Sequence, residues 1–223
     1  DQFCFSLDSV LLAHYVTIKK NDRIADLGTG TGVISLLLSS LGGNEIVAFE
    51  VNPVMADLAR RNVMNNHKTD KIQVVEIDYR KAQELYPSGR FTSVVVNPPY
   101  RSVGSGRMSR NEDVASASYE VNATLEEVFH TSRYLLKYGG RLTMVHRADR
   151  MADLIALGRK YNMEPKRVRP VYTKSGKVAV RVLMEWKYGG NPELIVENPL
   201  FIHNSDGSYT NEILDIYGKE SNE

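Results

Sequence analysis

The chain is nearly devoid of the residues that disulfide cross-links and thiolate metal centres require. Cys4 is its only cysteine, which excludes an intrachain disulfide framework and a thiolate cluster for zinc. One thiol is typical of proteins from the reducing cytoplasm, and we expect that location. The five histidines lack metal-ligand spacing, so the sequence predicts no metal site.

Long apolar runs and an excess of one charge are also missing. No stretch approaches the roughly 20 residues of a membrane-spanning helix, and no signal-peptide pattern opens the chain. The first residue is Asp1 rather than Met, so we expect the natural chain to begin upstream. A formal net charge of +1 over 223 residues, with 42% hydrophobic residues, indicates an ordinary globular protein of about one domain.

The small net charge conceals an uneven distribution. Residues 159–177 hold seven lysines or arginines and one acid, Glu164, whereas Lys219 is the only lysine or arginine from 193 to 223. A local basic stretch suggests a phosphate-rich partner docking on one face. A solvated strand edge explains the same stretch equally well.

Strand-like and helix-like segments alternate as far as residue 160. This alternation predicts an α/β fold with a doubly wound, Rossmann-like, seven-stranded sheet, mostly parallel with a C-terminal antiparallel hairpin. We expect a single domain over 1–223, with a helical lead-in at 1–22, an α/β core at 23–160, and the hairpin and tail at 161–223. The predicted strands are 23–28, 45–51, 71–78, 93–97, 141–146, "PKRVRPVYT" and "KVAVRVLMEWKY", and the helices include 52–66 and 122–140, the latter capped by Asn122.

Unusual residues fall at the ends of the first four predicted strands. The first leads into the glycine turn "DLGTGTG" (26–32), in which Val33 follows where a dinucleotide fingerprint would have its third glycine. The next three strands end at Glu50, Asp78 and Asn97. In an open α/β sheet, ligands bind at this edge, where a glycine turn and polar side chains suit an adenosine-type cofactor.

The fourth strand ends in "VVVNPPY" (94–100), in which two prolines hold the preceding backbone extended. The Asn97 side-chain oxygen and the Pro98 carbonyl can both accept hydrogen bonds from an exocyclic amino group. These bonds would stabilise positive charge that develops on that nitrogen if it acts as a nucleophile. Pro99 helps to fix the two acceptors, and Tyr100 can stack on a base.

"DLGTGTG", the acid of "AFEVN", the aspartate of "EIDYR" and "NPPY" together resemble a class I S-adenosylmethionine-dependent methyltransferase. Adding "FCFSLDSVLLA", "VVVNPPYR" and "NPLFIHNSDGSYTNEILDIYG", the chain resembles, over nearly its whole length, the bacterial tRNA1(Val) adenine-N6 methyltransferase family. The resemblance implies the class I methyltransferase fold, S-adenosylmethionine as cofactor, and tRNA as partner, with the adenosine beside the anticodon as acceptor.

The same resemblance implies roles for individual residues. Asn97 to Tyr100 would form the acceptor site, with Asn97 also beside the cofactor. The remaining cofactor contacts would be Asp26, Gly28, Thr29 and Gly30 around the methionine part, Glu50 at the ribose, Asp78 and Tyr79 at the adenine, and Asp8 near the methionine end.

Candidate RNA contacts come from composition rather than from a motif. Guanidinium groups suit bidentate phosphate contacts and stacking on bases, although a solvated loop explains the same arginines equally well. The candidates are Arg101, Arg107 and Arg110 beyond "NPPY", and Lys166, Arg167 and Arg169 in the basic stretch.

Three other functions compete with an adenine-N6 methyltransferase of tRNA. A protein-glutamine N5-methyltransferase of the release-factor type would share the "NPPY" chemistry, since a planar amide fits the same Asn97 site. A non-catalytic RNA-binding relative would have no physical need for Asp26, Glu50, Asp78 and Asn97. An NAD-dependent oxidoreductase is least favoured, because the third fingerprint glycine and a proton donor are missing.

Overall fold

The computed structural model describes residues 6–99 and 124–218, and one twisted sheet runs through the whole of this part. Its strand order is β3-β2-β1-β4-β5-β7-β6-β8, with β9 also paired to β6. The strands are β1 (Arg23–Leu27), β2 (Glu45–Glu50), β3 (Ile72–Glu76), β4 (Phe91–Val96), β5 (Leu136–Arg147), β6 (Met163–Tyr172), β7 (Ala179–Tyr188), β8 (Ile195–Val196) and β9 (Leu200–Phe201).

Helices alternate with many of the strands, and several of them begin at a side-chain cap. Ser6 caps the first helix, and Asn52 caps the third, which has Pro53 at its first position. The helices are α1 (Leu7–Tyr15), α2 (Val33–Ser40), α3 (Pro53–Asn65), α4 (Leu125–Leu135), α5 (Met151–Lys160) and α6 (Asn211–Ile216), with short 3₁₀ turns at Tyr79–Glu84 and Ala148–Arg150.

Strands β1 to β5 are parallel, so their carboxyl ends meet at one edge of the sheet. The strand order reverses beside β1, which pairs with β2 on one side and β4 on the other. The predicted doubly wound sheet is therefore confirmed, and its switch point lies at the carboxyl end of β1, where ligands bind in such folds.

The C-terminal strands are antiparallel, as predicted. Strand β7 runs against both β5 and β6, with Arg147 opposite Arg181 and Tyr172 opposite Ala179. The seven long strands match the expected number, and β8 and β9 extend the sheet by pairing parallel to β6 for two residues each.

The core has one apolar layer on each face of the sheet. Val94 and Val96 face a cluster that includes Phe129 and Trp186, whereas Val95 faces a cluster that includes Leu12. Successive side chains of a strand point to opposite faces, so the apolar run of β4 is buried on both sides. This packing holds the strand rigidly up to Asn97.

The predicted helix over 122–140 is wrong at both ends. Thr124 is the N-cap, because its hydroxyl accepts a hydrogen bond from the Glu127 N–H while the Glu127 carboxylate accepts one from the Thr124 N–H. The helix ends at Leu135, and Leu136 already pairs with Phe91 in the sheet. Asn122 lies outside the described residues.

Within the described ranges, 6–99 and 124–218, no helix is long and apolar enough to cross a bilayer.

Candidate active site

The glycine turn after β1 is tied directly to β2. The N–H groups of Gly28 and Thr29 both donate to the Phe49 carbonyl at 2.9 Å. Gly28 and Gly30 have φ values of +73° and +57°, which side-chain-bearing residues rarely adopt. The turn therefore needs glycine at both positions, and it delivers the chain into α2 with the N–H groups of its first turn facing the carboxyl edge.

Asp26 lies fully buried at the end of β1, in the middle of this edge. Its Oδ2 accepts hydrogen bonds from the Thr29 hydroxyl at 2.6 Å and the Ser35 hydroxyl at 2.7 Å. Its Oδ1 is buried without a hydrogen-bond partner. Burial, only partly offset by the two hydroxyls, raises the pKa of Asp26 to about 6.

Glu50 uses its two carboxylate oxygens to organise two turns. Oε2 accepts a hydrogen bond from the Gly30 N–H at 2.8 Å, and Oε1 accepts one from the Asn52 N–H at 2.9 Å. The side chain is largely buried. Each oxygen keeps acceptor capacity, so the carboxylate can still receive two hydroxyl donors, as a ribose diol would present.

Asp78 forms the N-cap of the 3₁₀ turn that begins at Tyr79, two residues past the end of β3. Arg80 holds its carboxylate through the backbone N–H and the guanidinium, with Nη2 at 2.6 Å from Oδ2, and reaches Glu127 at 2.9 Å with Nη1. Burial opposes ionisation of Asp78, but these bonds from Arg80 prevail and its pKa is lowered. Burial raises the pKa of Tyr79.

Asn97 follows the last residue of β4 and contacts the first turn of α1. Its side-chain Nδ2 donates a hydrogen bond to the Ser9 hydroxyl at 3.3 Å. Pro98 is buried and Pro99 is exposed. Sequence reasoning missed Ser9, because 88 residues separate it from Asn97 and no local pattern links them. Tyr100, Arg101, Arg107 and Arg110 lie outside the described residues.

Asp8 also lies in the first turn of α1, but its carboxylate accepts a hydrogen bond from Arg181 Nε of β7 at 2.9 Å. Helix α1 thus contacts two strand ends at the carboxyl edge, β4 through Ser9 and β7 through Asp8.

The basic stretch makes ion pairs with acids of the C-terminal segment. Arg167 pairs with Glu197 at 2.6 Å and Arg169 with Glu212 at 2.5 Å, while the Lys166 ammonium lies 3.8 Å from Glu193. These three cations, predicted as RNA contacts, thus already have acidic partners within the chain. A phosphate would have to compete with those carboxylates.

Arg167 has the most partners of the three. Its guanidinium also donates to the Thr17 hydroxyl at 2.8 Å, lies 4.5 Å from the centre of the Tyr15 ring, and is 3.7 Å from the buried Glu185.

We expect Arg167→Ala to lower the free energy of unfolding by about 2 kcal/mol, because Glu185 and Glu197 lose their cation. Urea denaturation measures this. Arg60→Ala, which removes an exposed pair with Glu76, is the control and should cost less than about 0.5 kcal/mol; an equal loss in both variants would contradict the expectation.

Among the described residues, no group of three or more His, Cys, Asp or Glu side chains is arranged to hold a metal ion. The edge therefore combines a glycine turn and two buried acids at the ends of β1 and β2 with Asp78, which caps the 3₁₀ turn after β3, and Asn97, which follows β4. This arrangement offers acceptors to a polar, nucleoside-like molecule and a hydrogen-bonding site beside it.

The chain matches a known protein family in sequence, and its fold matches a solved structure. A sequence model of the family described as "MTS: Methyltransferase small domain" matches residues 6–162. The "tRNA1(Val) (adenine(37)-N6)-methyltransferase" of Haemophilus influenzae (strain PittEE) is 26% identical over 213 residues, which cover 95% of this chain and 88% of the relative. A Bacteroides fragilis protein of the same name is 28% identical over 183 residues, covering 81% and 76%. The crystal structure of a predicted O-methyltransferase from Agrobacterium tumefaciens superposes with a TM-score of 0.76 at 23% identity, covering 95% of this chain and 96% of that one.

Proposed function

The chain belongs to the methyltransferase small domain family, and from this premise we propose that it methylates the exocyclic N6 of an adenosine in tRNA. It is an S-adenosylmethionine-dependent methyltransferase with the class I fold. The observation that supports an exocyclic amino nitrogen as acceptor is the Asn97–Pro98 pair, which directly follows β4 at the same sheet edge as Asp26 and Glu50. The names of the relatives support tRNA as the substrate and the adenosine beside the anticodon as the target.

The residues at the edge fit S-adenosylmethionine. The buried and unpartnered Oδ1 of Asp26 suits the cofactor's ammonium group, and Glu50 suits its ribose diol. Gly28, Thr29 and Gly30 provide a backbone without bulky side chains beside the methionine part. When bound, the cofactor supplies an electrophilic methyl group on its sulfonium sulfur.

Asp78 and Tyr79 are our proposed adenine contacts. Since the Arg80 guanidinium donates to both oxygens of Asp78, binding of the adenine amino group would move that guanidinium toward Glu127, its second partner. Asp8 is a more distant candidate near the methionine end, and its bond to Arg181 favours a role in positioning α1.

Asn97 and Pro98 would act on the target amino group. The Asn97 side-chain oxygen and the Pro98 carbonyl would accept hydrogen bonds from the N6 protons and so orient the amino group for attack. As the bond from N6 to the methyl carbon formed and the bond from that carbon to sulfur broke, with its electron pair leaving on sulfur, positive charge would develop on N6, and the two acceptors would stabilise it. The methylated cationic nitrogen is acidic enough to lose its proton to water, so no strong base is needed.

Cofactor affinity should depend on pH through Asp26. The pKa of Asp26 in the folded protein, about 6, lies above the ordinary 3.8. The protonated carboxyl group therefore stabilises the folded state fully below pH 3.8, and this stabilisation is lost as the pH rises through about 6. A bound ammonium group favours the ionised carboxylate instead. We therefore expect the Kd for S-adenosylmethionine to fall by about tenfold from pH 5 to pH 7.

Calorimetry on Asp26→Asn, with Asp57→Asn as the exposed control, tests this dependence. The Asp26 variant should lose the pH dependence, and the control should keep it. An unchanged slope in Asp26→Asn would assign the titration to another group.

Radiolabelled S-adenosylmethionine and bulk tRNA from a strain lacking this protein test the proposed function, with nucleoside analysis of the product. Label in N6-methyladenosine is the expected result. Label in tRNA but in another nucleoside would overturn the acceptor atom. Cofactor binding without label in tRNA would favour the second candidate, a glutamine side-chain amide, whose planar NH₂ group fits the same two acceptors.

A further inference from the structure

The hairpin loop between β6 and β7 lies at the same edge of the sheet as Asn97. Because β6 is parallel to β5, its end at Tyr172 and the start of β7 at Ala179 both point to the carboxyl edge. Three strand spacings separate β4 from β6, which amounts to about 14 Å. A nucleic acid strand with one nucleotide at Asn97 can therefore pass over residues 173–178.

This loop carries cations that the fold does not use. Lys174 and Lys177 are exposed, and neither ammonium group has a salt-bridge partner among residues 6–99 and 124–218. They differ in this respect from Lys166, Arg167 and Arg169, which face carboxylates of the C-terminal segment. The Val178 side chain beside them is 82% exposed.

A groove adjoins the loop and is lined by both polar and aromatic side chains. Its volume is about 430 Å³. Lys174 and Ser175 of the loop line it together with Phe201, His203 and Thr210. The His203 ring stacks on Tyr209, with centroids 5.0 Å apart and planes 17° apart, and Tyr209 is 46% exposed.

Positive charge next to an exposed stacked aromatic is the combination that binds single-stranded nucleic acid. Lysines attract the phosphates, and an aromatic face accepts an unstacked base with little dependence on its sequence. One acid, Asp206, lies in the turn beside the stack, and its carboxylate accepts bonds from the Ser208 N–H at 2.9 Å and the Ser208 hydroxyl at 2.6 Å.

We propose that Lys174, Lys177 and the Tyr209–His203 stack form the docking surface for the tRNA strand that adjoins the target adenosine. The lysines contact phosphates, and the Tyr209 face receives a neighbouring base. This inference rests on the proposed function for the identity of the RNA. The main RNA contacts are then the lysines of the hairpin loop, Lys174 and Lys177, rather than Lys166, Arg167 and Arg169 within β6.

The test is charge reversal at the hairpin, Lys174→Glu with Lys177→Glu, in the otherwise intact chain. Lys20→Glu with Lys137→Glu is the matched control, because these exposed lysines lie before β1 and at the start of β5, on the opposite edge. With bulk tRNA from the deficient strain, we expect KM to rise by about tenfold and kcat to stay within about twofold. The plot of log affinity against log salt concentration should become less steep, its negative slope decreasing in magnitude by about 1.5 for the two lost phosphate contacts.

Tyr209→Ala tests the stack separately and should weaken tRNA binding by about fivefold or more. Tyr138→Ala, which removes an exposed tyrosine at the opposite edge, is its control. Fluorescence anisotropy with labelled tRNA measures binding without requiring turnover, and calorimetry checks that the Kd for S-adenosylmethionine is unchanged.

The outcomes separate this proposal from the proposed function. If the wild type binds and methylates tRNA but the hairpin and Tyr209 variants match their controls, the docking surface is overturned alone. If the wild type binds tRNA through these residues without methylating it, the proposed function fails and the surface stands. If the wild type neither binds nor labels tRNA, both are overturned.

Discussion

Replacing Asn97 with alanine should lower the rate of methyl transfer to tRNA by about 100-fold or more while leaving the Kd for S-adenosylmethionine within about twofold. The reason is that, in the proposed mechanism, the Asn97 oxygen accepts a hydrogen bond from the acceptor nitrogen, where charge develops only as the methyl group moves. Its removal therefore raises the barrier without a comparable loss of binding. Single-turnover rates with saturating cofactor measure the chemical step directly.

The Asn97 experiment has a matched control in Asn191→Ala. Asn191 is an exposed residue of the loop after β7, and its backbone carbonyl accepts a bond from Lys166. The control should retain full activity. If Asn97→Ala turned over at the wild-type rate, the asparagine would have no part in the reaction; if both variants lost activity equally, the loss would reflect general damage to the fold.

Glu50→Ala should raise the Kd for S-adenosylmethionine by about 100-fold. Two effects combine, because the variant removes the proposed acceptor of the ribose hydroxyls and also releases the Gly30 and Asn52 N–H groups that Glu50 holds. The glycine turn, the proposed contact of the methionine part, then loses one of the bonds that fix its geometry. Calorimetry gives the Kd, and we expect the melting temperature to fall as well, since two charge-assisted hydrogen bonds are lost.

Glu76→Ala is the control for Glu50→Ala. Glu76 lies directly opposite Glu50 on the adjacent strand, but its side chain is exposed and pairs with Arg60 at 3.1 Å. It should leave the Kd unchanged. Glu50→Gln separates the two effects, since an amide keeps one acceptor oxygen but presents donors to the second N–H group. A Kd in Glu50→Ala equal to that of the control would remove Glu50 from cofactor binding.

The strand ends were predictable because each is a local signal. An apolar run, a glycine turn or a proline pair marks where a strand stops, and parallel strands bring their carboxyl ends to one edge without any further information. Asp26, Glu50, Asp78 and Asn97 were thus predictable as neighbours at the edge. Their detailed environment was not.

The missing details all depend on contacts between distant parts of the chain. Ser9 reaches Asn97 only after α1 packs on the sheet, and Arg169 meets Glu212 only after the C-terminal segment folds back along β6. The end of α4 was misjudged because "LLKYGG" suits a helix terminus as well as a strand. Leu136 is in a strand because it pairs with Phe91, which lies 45 residues earlier in the sequence.

Strands β8 and β9 are only two residues each, yet they lie against the outer side of β6, the last long strand of the sheet. An uncovered edge strand exposes backbone donors and acceptors to which a second chain can add a strand. The salt bridges from Arg167 and Arg169 hold the covering segment in place. We therefore expect the C-terminal segment to limit edge-to-edge aggregation, and a shortened chain to self-associate more readily even with every residue of the proposed active site intact.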